Sequence, residues 1–267
     1  MSDPVSSTMR ARILAELDDI ETNEGVRILL AVESGSRAWG FHSPDSDYDV
    51  RFVYARPLDW HYRLGPKRDV IERPVDAVLD VSGWELSKAL ELALRSNAVI
   101  AEWLQSPIRY RGDAGAVAAL RDFAGRALDR AAVTWHYLSL ANRQLERLRG
   151  PDGGVRLKRY FYVLRPVLAL RWMRLNDRSM PPMDMAALRA GCALDAGQSA
   201  ALDDLTRRKM AVSEQGETGS PDPMLDALTE AELRAARAWL DGSRRDKPPG
   251  LWNEASALHL SLSRPGT

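Results

Sequence analysis

Apolar positions recur along this chain at two periods, and the change of period divides it. Ile13, Leu14, Leu17 and Ile20 fall at helical spacing within residues 9–21; "TNEG" then turns the chain into "VRILLAV", an aliphatic run that reads as a buried strand. After a Gly-Ser turn and a polar stretch, "YDVRFVY" alternates. Asp47, Asp49, Arg51 and Val53 share one face, and Tyr48, Val50, Phe52 and Tyr54 the other. "VDAVLDV" at 75–81 alternates as well, with Asp76, Val78 and Asp80 on one side. The period then becomes helical: Ser82 and Glu85 have the spacing of a capping box, followed by Leu86, Ala89, Leu90, Ala93 and Leu94.

From there the pattern stays helical. "SP" and "RGD" mark the end of the α/β part near residue 112, and segments 115–149, 155–176, 184–212 and 224–241 read as helices separated by "GPDGG", "SMPP" and "GETGSPDP". The pattern predicts an α+β chain: an α/β domain over 1–112, with a small mixed sheet and helices on one side, an all-helical domain over 113–241, and a loosely ordered tail over 242–267 in which "LWNEASALHLSL" could dock as a last short element.

Composition narrows the class without naming a partner. With 267 residues, 45% of them hydrophobic, the chain buries a sizeable core. Its 37 basic and 37 acidic residues balance, so net charge argues neither for nor against nucleic acid. The single cysteine, Cys192, allows no intramolecular disulfide, and no run approaches a membrane span or a signal peptide, so a cytoplasmic protein without membrane contact is expected. The four histidines show no metal-ligand spacing, and no Walker loop or hydrolase motif is present.

The candidate chemistry lies in "ESGSRAWGFHSPDSDYDVRFVY". Two like charges on one strand face repel, so Asp47 and Asp49 need a reason, and hard oxygen ligands for divalent cations supply one. A third carboxylate from a neighbouring strand would complete the set. Asp80, just before the capped helix, is favoured; Asp76 has the same parity, which alone does not separate the two. Gly35 and Ser36 offer backbone N–H groups and a hydroxyl for phosphates, and Arg37 a charge-assisted contact. Farther on, Lys158, Tyr162 and Arg165 lie together on one face of a helix that also carries Pro166, a set suited to a triphosphate tail or a stacked base, and Arg171, Arg174 and Arg178 cluster on another face, a basic surface that points to RNA.

"GS", ten residues and "DYDV" resemble the signature of the DNA polymerase β-type nucleotidyltransferase superfamily. With "RDVIERPVDAVLDVSGWELSKALELALRSN", "EWLQSPIRY" and "LKRYFYVLRPVLALRW", the chain is similar over about residues 26–176 to a bacterial family of nucleotidyltransferases, some of them associated with RNA repair. The resemblance implies Asp47, Asp49 and Asp80 as catalytic residues and ligands of two Mg²⁺ or Mn²⁺ ions, with Asp80 chosen over Asp76. It also implies transfer of a nucleoside monophosphate from an NTP such as ATP to an acceptor hydroxyl, with release of pyrophosphate. Gly35, Ser36 and Arg37 would hold the β and γ phosphates, and Lys158, Tyr162 and Arg165 would close on the nucleotide from the helical side. RNA at a 3′ end is the expected acceptor. The alternatives are a protein or small-molecule acceptor, or a nucleotide-binding module without catalysis.

Overall fold

The computed structural model describes residues 4–43, 45–73, 76, 78–148, 155–176, 180–211, 218–219, 222–243 and 247–264. In chain order these form α1 (Ser7–Glu24), β1 (Arg27–Glu33), α2 (Ser36–Trp39), β2 (Tyr48–Ala55), a 3₁₀ turn (Leu58–Tyr62), β3 (Val70–Glu72), β4 (Leu79–Glu85), α3 (Leu86–Leu94), α4 (Ala98–Gln105), β5 (Arg109–Gly112) and α5 (Ala114–Arg126). There follow α6 (Arg130–Glu146), β6 (Val155–Arg156), α7 (Leu157–Leu175), α8 (Met185–Ala190), α9 (Ala196–Ala211), β7 (Thr218–Gly219), α10 (Pro223–Asp241) and α11 (Leu251–Ser263).

Two compact units result, one of Met1–Ala38, Asp47–Leu128 and Lys247–Thr267, the other of Trp39–Ser46 and Asp129–Asp246. The first holds a five-stranded mixed sheet in the order β3-β4-β2-β1-β5. Only β2 and β4 run parallel; β1 is antiparallel to β2 and β5, and β3 to β4. Alternation sorts the side chains as expected. Leu30, Val32, Val53 and Ala55 join one core with α3, α4, α5 and α11, while Ala31, Val50, Phe52, Tyr54 and Val81 join a second with Ile13, Leu17 and Ile20 of α1. The helical layer expected on one side of the sheet is therefore present, and α1 adds cover on the other. Gly83 belongs to this packing: a Cβ there would lie 2.2 Å from Phe52 Cε2, so the ring lies across the bare strand.

Three boundaries differ from the pattern's prediction. The division falls after Leu128 and not near residue 112, because Ala116, Val117, Leu120 and Phe123 of α5 bury in the sheet's own core. Of the tail, the segment that could dock does so: α11 buries Leu251 and Ala255 in that same core. Residues 39–46, expected within the α/β domain, group with the helical unit, where Phe41 stacks on Phe161 with 4.3 Å between ring centres and Lys209 Nζ donates to Ser43 Oγ at 2.7 Å. The capping box also resolves differently. Ser82 stays in β4, and Glu85 is the N-cap, its carboxylate accepting the Ser87 N–H at 2.5 Å.

In the second unit α7 runs through Pro166 without interruption and is buried along most of its length, with α6, α8, α9 and α10 packed around it. Segment 115–149 is two helices, α5 and α6, with Asp129 capping the second through the Ala132 N–H.

Candidate active site

The end of β1 and the start of β2 are tied in both directions. Ser34 N–H donates to Asp49 O at 2.7 Å, and Asp49 N–H donates to Glu33 Oε1 at 2.8 Å. Between these bonds the chain turns at Gly35, whose φ of 107° suits glycine alone, and a Cβ at this position would fall 2.2 Å from Asp49 Oδ2. The Gly-Ser turn is thus built against the Asp49 carboxylate. Ser36 follows half-buried at the start of α2.

Across the sheet Asp49 and Asp80 are register partners in the parallel pair β2 and β4, so their side chains leave the same face at the same level. Arg51, two residues along β2, shares that face. Its Nη2 donates to Asp80 Oδ2 at 2.6 Å and to Asp49 Oδ1 at 3.2 Å. Asp47 precedes the strand and is exposed. Asp76, the other residue of matching parity, is engaged elsewhere: its Oδ1 accepts the Val78 and Leu79 N–H groups and its Oδ2 pairs with Arg12. Those bonds hold its carboxyl below the usual carboxylate range, the backbone donor at Val78 most of all.

Arg37 sits differently from a phosphate ligand on the surface. It is buried, with its guanidinium 3.8 Å from the centre of the Tyr48 ring, and it donates to Pro4 O at 2.9 Å and to Asp47 O at 3.3 Å. In this position it braces the backbone that presents Asp47.

Glu33 is the residue that sequence reasoning passed over. It is fully buried beneath the turn; besides the Asp49 N–H it accepts the Tyr110 hydroxyl hydrogen on Oε2. Burial pushes its carboxyl up to about 7, against the lowering effect of the two hydrogen bonds. An acid closing a run of buried aliphatic residues, "RILLAVE", was the available signal.

Lys158, Tyr162 and Arg165 lie on α7 in the second unit. Arg165 is buried with its guanidinium 4.7 Å from the centre of the Trp39 ring, and Tyr162 meets the same ring edge-on at 5.8 Å; Lys158 is half-buried. Arg171 and Arg174, part of the same basic helix, both reach the buried Glu232 at 2.8 Å. Arg178 lies outside the described residues.

A mixed sheet that aligns aspartates across parallel strands and sets a Gly-Ser turn against one of them has the form of a nucleotidyltransferase of DNA polymerase β type. The chain belongs to the RNA repair pathway DNA polymerase beta family, RlaP, which it matches over residues 9–260. It is 43% identical over 202 residues to the uncharacterized protein YcgL of Bacillus subtilis (strain 168), covering 75% of this chain and 76% of that one. A solved structure of a nucleotidyltransferase-like protein from Exiguobacterium sibiricum 255-15 aligns over 95% of this chain and 79% of its own at 10% identity; the TM-score, 0.30, gives that likeness no weight. No helix among the described residues is long and apolar enough to cross a membrane.

Proposed function

We propose that the protein transfers a nucleoside monophosphate from an NTP to an acceptor hydroxyl and releases pyrophosphate. The observation that carries this reading is the register of Asp49 with Asp80, which brings two carboxylates from neighbouring strands to one level beside the Gly-Ser turn. The donor set fits a hard divalent cation. It consists of carboxylate oxygens alone, and a positive group, the Arg51 guanidinium, already stands between two of them. Asp47, Asp49 and Asp80 would hold Mg²⁺ or Mn²⁺, which supplies charge stabilisation at the transferring phosphoryl group.

The chain's own residues do the rest. Asp80 accepts the proton of the attacking hydroxyl, Gly35 N–H and Ser36 Oγ donate to phosphate oxygens, and Glu33 and Arg37 fix the backbones of Asp49 and Asp47 from beneath. Arg51 is a positioning residue whose guanidinium, bonded to both carboxylates, holds Asp49 and Asp80 close despite their like charge. Catalysis of this kind is positioning and electrostatics.

RNA is the favoured acceptor, on the family's description alone, because the arginines of α7 that suggested a nucleic-acid surface are engaged with Glu232. The test is incubation with Mg²⁺ or Mn²⁺ and each α-labelled NTP, with and without RNA. Label on RNA that disappears with Asp49→Asn is the expected result; label on a protein or small molecule moves the acceptor, and full activity of Asp49→Asn overturns the site.

A further inference from the structure

Three ligand-type side chains meet at the far end of β4 from Asp80, and none of them belongs to the site described above. Glu85 ends the strand, five residues beyond Asp80, which at roughly 3.3 Å per residue places it about 16 Å away. His61 comes from the 3₁₀ turn and His259 from α11. Glu85 Oε1 lies 3.9 Å from His61 Nε2 and 4.0 Å from His259 Nε2, and the three ligand atoms are all within 4.8 Å of one another.

These atoms are buried and unsatisfied. Glu85 divides its carboxylate: Oε2 caps α3 by accepting from the N–H and hydroxyl of Ser87, while Oε1 has no hydrogen-bond partner. His61 Nε2 and His259 Nε2 likewise lack one, and the Glu85 side chain is only 1% exposed. A buried acceptor or donor left without a partner is destabilising. Three such atoms converging on one point, from three separate elements, are what a missing common partner leaves behind.

The geometry points to a transition-metal site at His61, Glu85 and His259, with Zn²⁺ the ion of matching chemistry. Two imidazoles and one carboxylate, with a fourth position open to water, suit Zn²⁺ better than Mg²⁺, which avoids nitrogen ligands. A tetrahedral ion with bonds of about 2.1 Å separates its ligands by about 3.4 Å, so the present spacing needs an inward movement of about half an ångström. Burial, above all, holds the His259 imidazole below its ordinary value, toward the neutral form that ligates. The ion would fasten α11 to the end of β4 and to the 3₁₀ turn, giving the C-terminal segment a bond in addition to its apolar contacts with α3 and α5.

The test uses the full-length, tag-free chain, stripped of metal, in an Asp49→Asn, Asp80→Asn background so that the other carboxylates do not compete. Titration with Co²⁺ is expected to give the d–d absorption of a low-coordinate nitrogen and oxygen site, saturating at one ion per chain and displaced by Zn²⁺. His61→Ala and His259→Ala should each weaken binding by about 100-fold or more, and should abolish the rise in melting temperature that Zn²⁺ gives. Glu85→Gln, which keeps an acceptor for the Ser87 N–H, should weaken it too; if that variant does not fold, the histidine variants decide. Failure to take up Co²⁺, or uptake unchanged by both histidine replacements, overturns the site and leaves the nucleotidyltransferase reading untouched.

Discussion

Gly35 and Asp49 stand so close that any side chain at residue 35 would occupy the place of the Asp49 carboxylate: the distance from a Cβ to Oδ2 is 2.2 Å. Gly35→Ala meets two obstacles, a left-handed φ of 107° and this overlap. The carboxylate must turn away, since the backbone around it is fixed by Glu33 and Ser34. Nucleotide transfer should fall by about 10- to 100-fold, as when an orienting partner of a metal ligand is lost. The strain should cost about 1–3 kcal/mol of stability. Steady-state kinetics with a urea melt of the same variant separates the two effects, and a variant of normal activity would show that the turn does not shape the site.

Parity left Asp76 and Asp80 equivalent, and their surroundings now make opposite predictions. Asp80→Asn should abolish transfer with little change in the melt, because its carboxylate faces Asp49 and Arg51 and not the core. Asp76→Asn keeps a side-chain oxygen for the Val78 and Leu79 N–H groups and loses only the exposed pairing with Arg12, so activity should stay near that of the parent. Single-turnover rates for both variants check this. Reversal of the two outcomes would move the third carboxylate to Asp76.

Much of this was legible from local pattern, because a strand's faces are set by a period of two and the aspartates fall on it. Asp49, Arg51 and Val53 do share a face, and Phe52 and Tyr54 do bury on the other. What local pattern does not carry is pairing between distant segments. Nothing near residue 259 announces that its imidazole meets Glu85, and nothing in "GFHSPDS" announces that Ser43 takes a hydrogen bond from Lys209. The surroundings of Arg37 are hidden from local pattern for the same reason. A basic residue after a Gly-Ser turn suggests a phosphate contact, but Tyr48 and two backbone carbonyls occupy it.

Glu33 gives the fold a pH dependence of definite sign. Its carboxyl is raised from 4.5 to about 7 by burial, so the folded chain holds a proton there that the unfolded chain has released. The associated stability is fully present below pH 4.5 and is lost as the pH rises through about 7. A shift of this size corresponds to about 3 kcal/mol as an order of magnitude. Glu33→Gln resembles the protonated form: its carbonyl can accept the Asp49 N–H, and its amide can donate to the Tyr110 oxygen. The difference in unfolding free energy between parent and variant, measured across that interval, should change steadily in the variant's favour as pH increases; a constant difference would mean that Glu33 is ionised throughout.

The basic face of α7 yields the prediction that departs most from the sequence pattern. Arg171 and Arg174 hold Glu232, which is 3% exposed, and Arg171 also donates to Cys192 O at 2.5 Å and Ala193 O at 2.9 Å. These bonds join α7 to α10 and to the turn after α8, so the arginines act inside the helical unit. Arg171→Ala leaves a buried carboxylate short of a partner and should destabilise the protein by about 3 kcal/mol, the lower end for breaking a buried pair, since Arg174 remains. Arg174, 42% exposed, should matter less. If RNA binds, its affinity should keep the same dependence on salt in Arg174→Ala, because a group already paired with Glu232 releases no counterion from phosphate. A salt slope reduced by about one in that variant would instead place RNA on this helix, and would require the Glu232 pair to open when RNA binds.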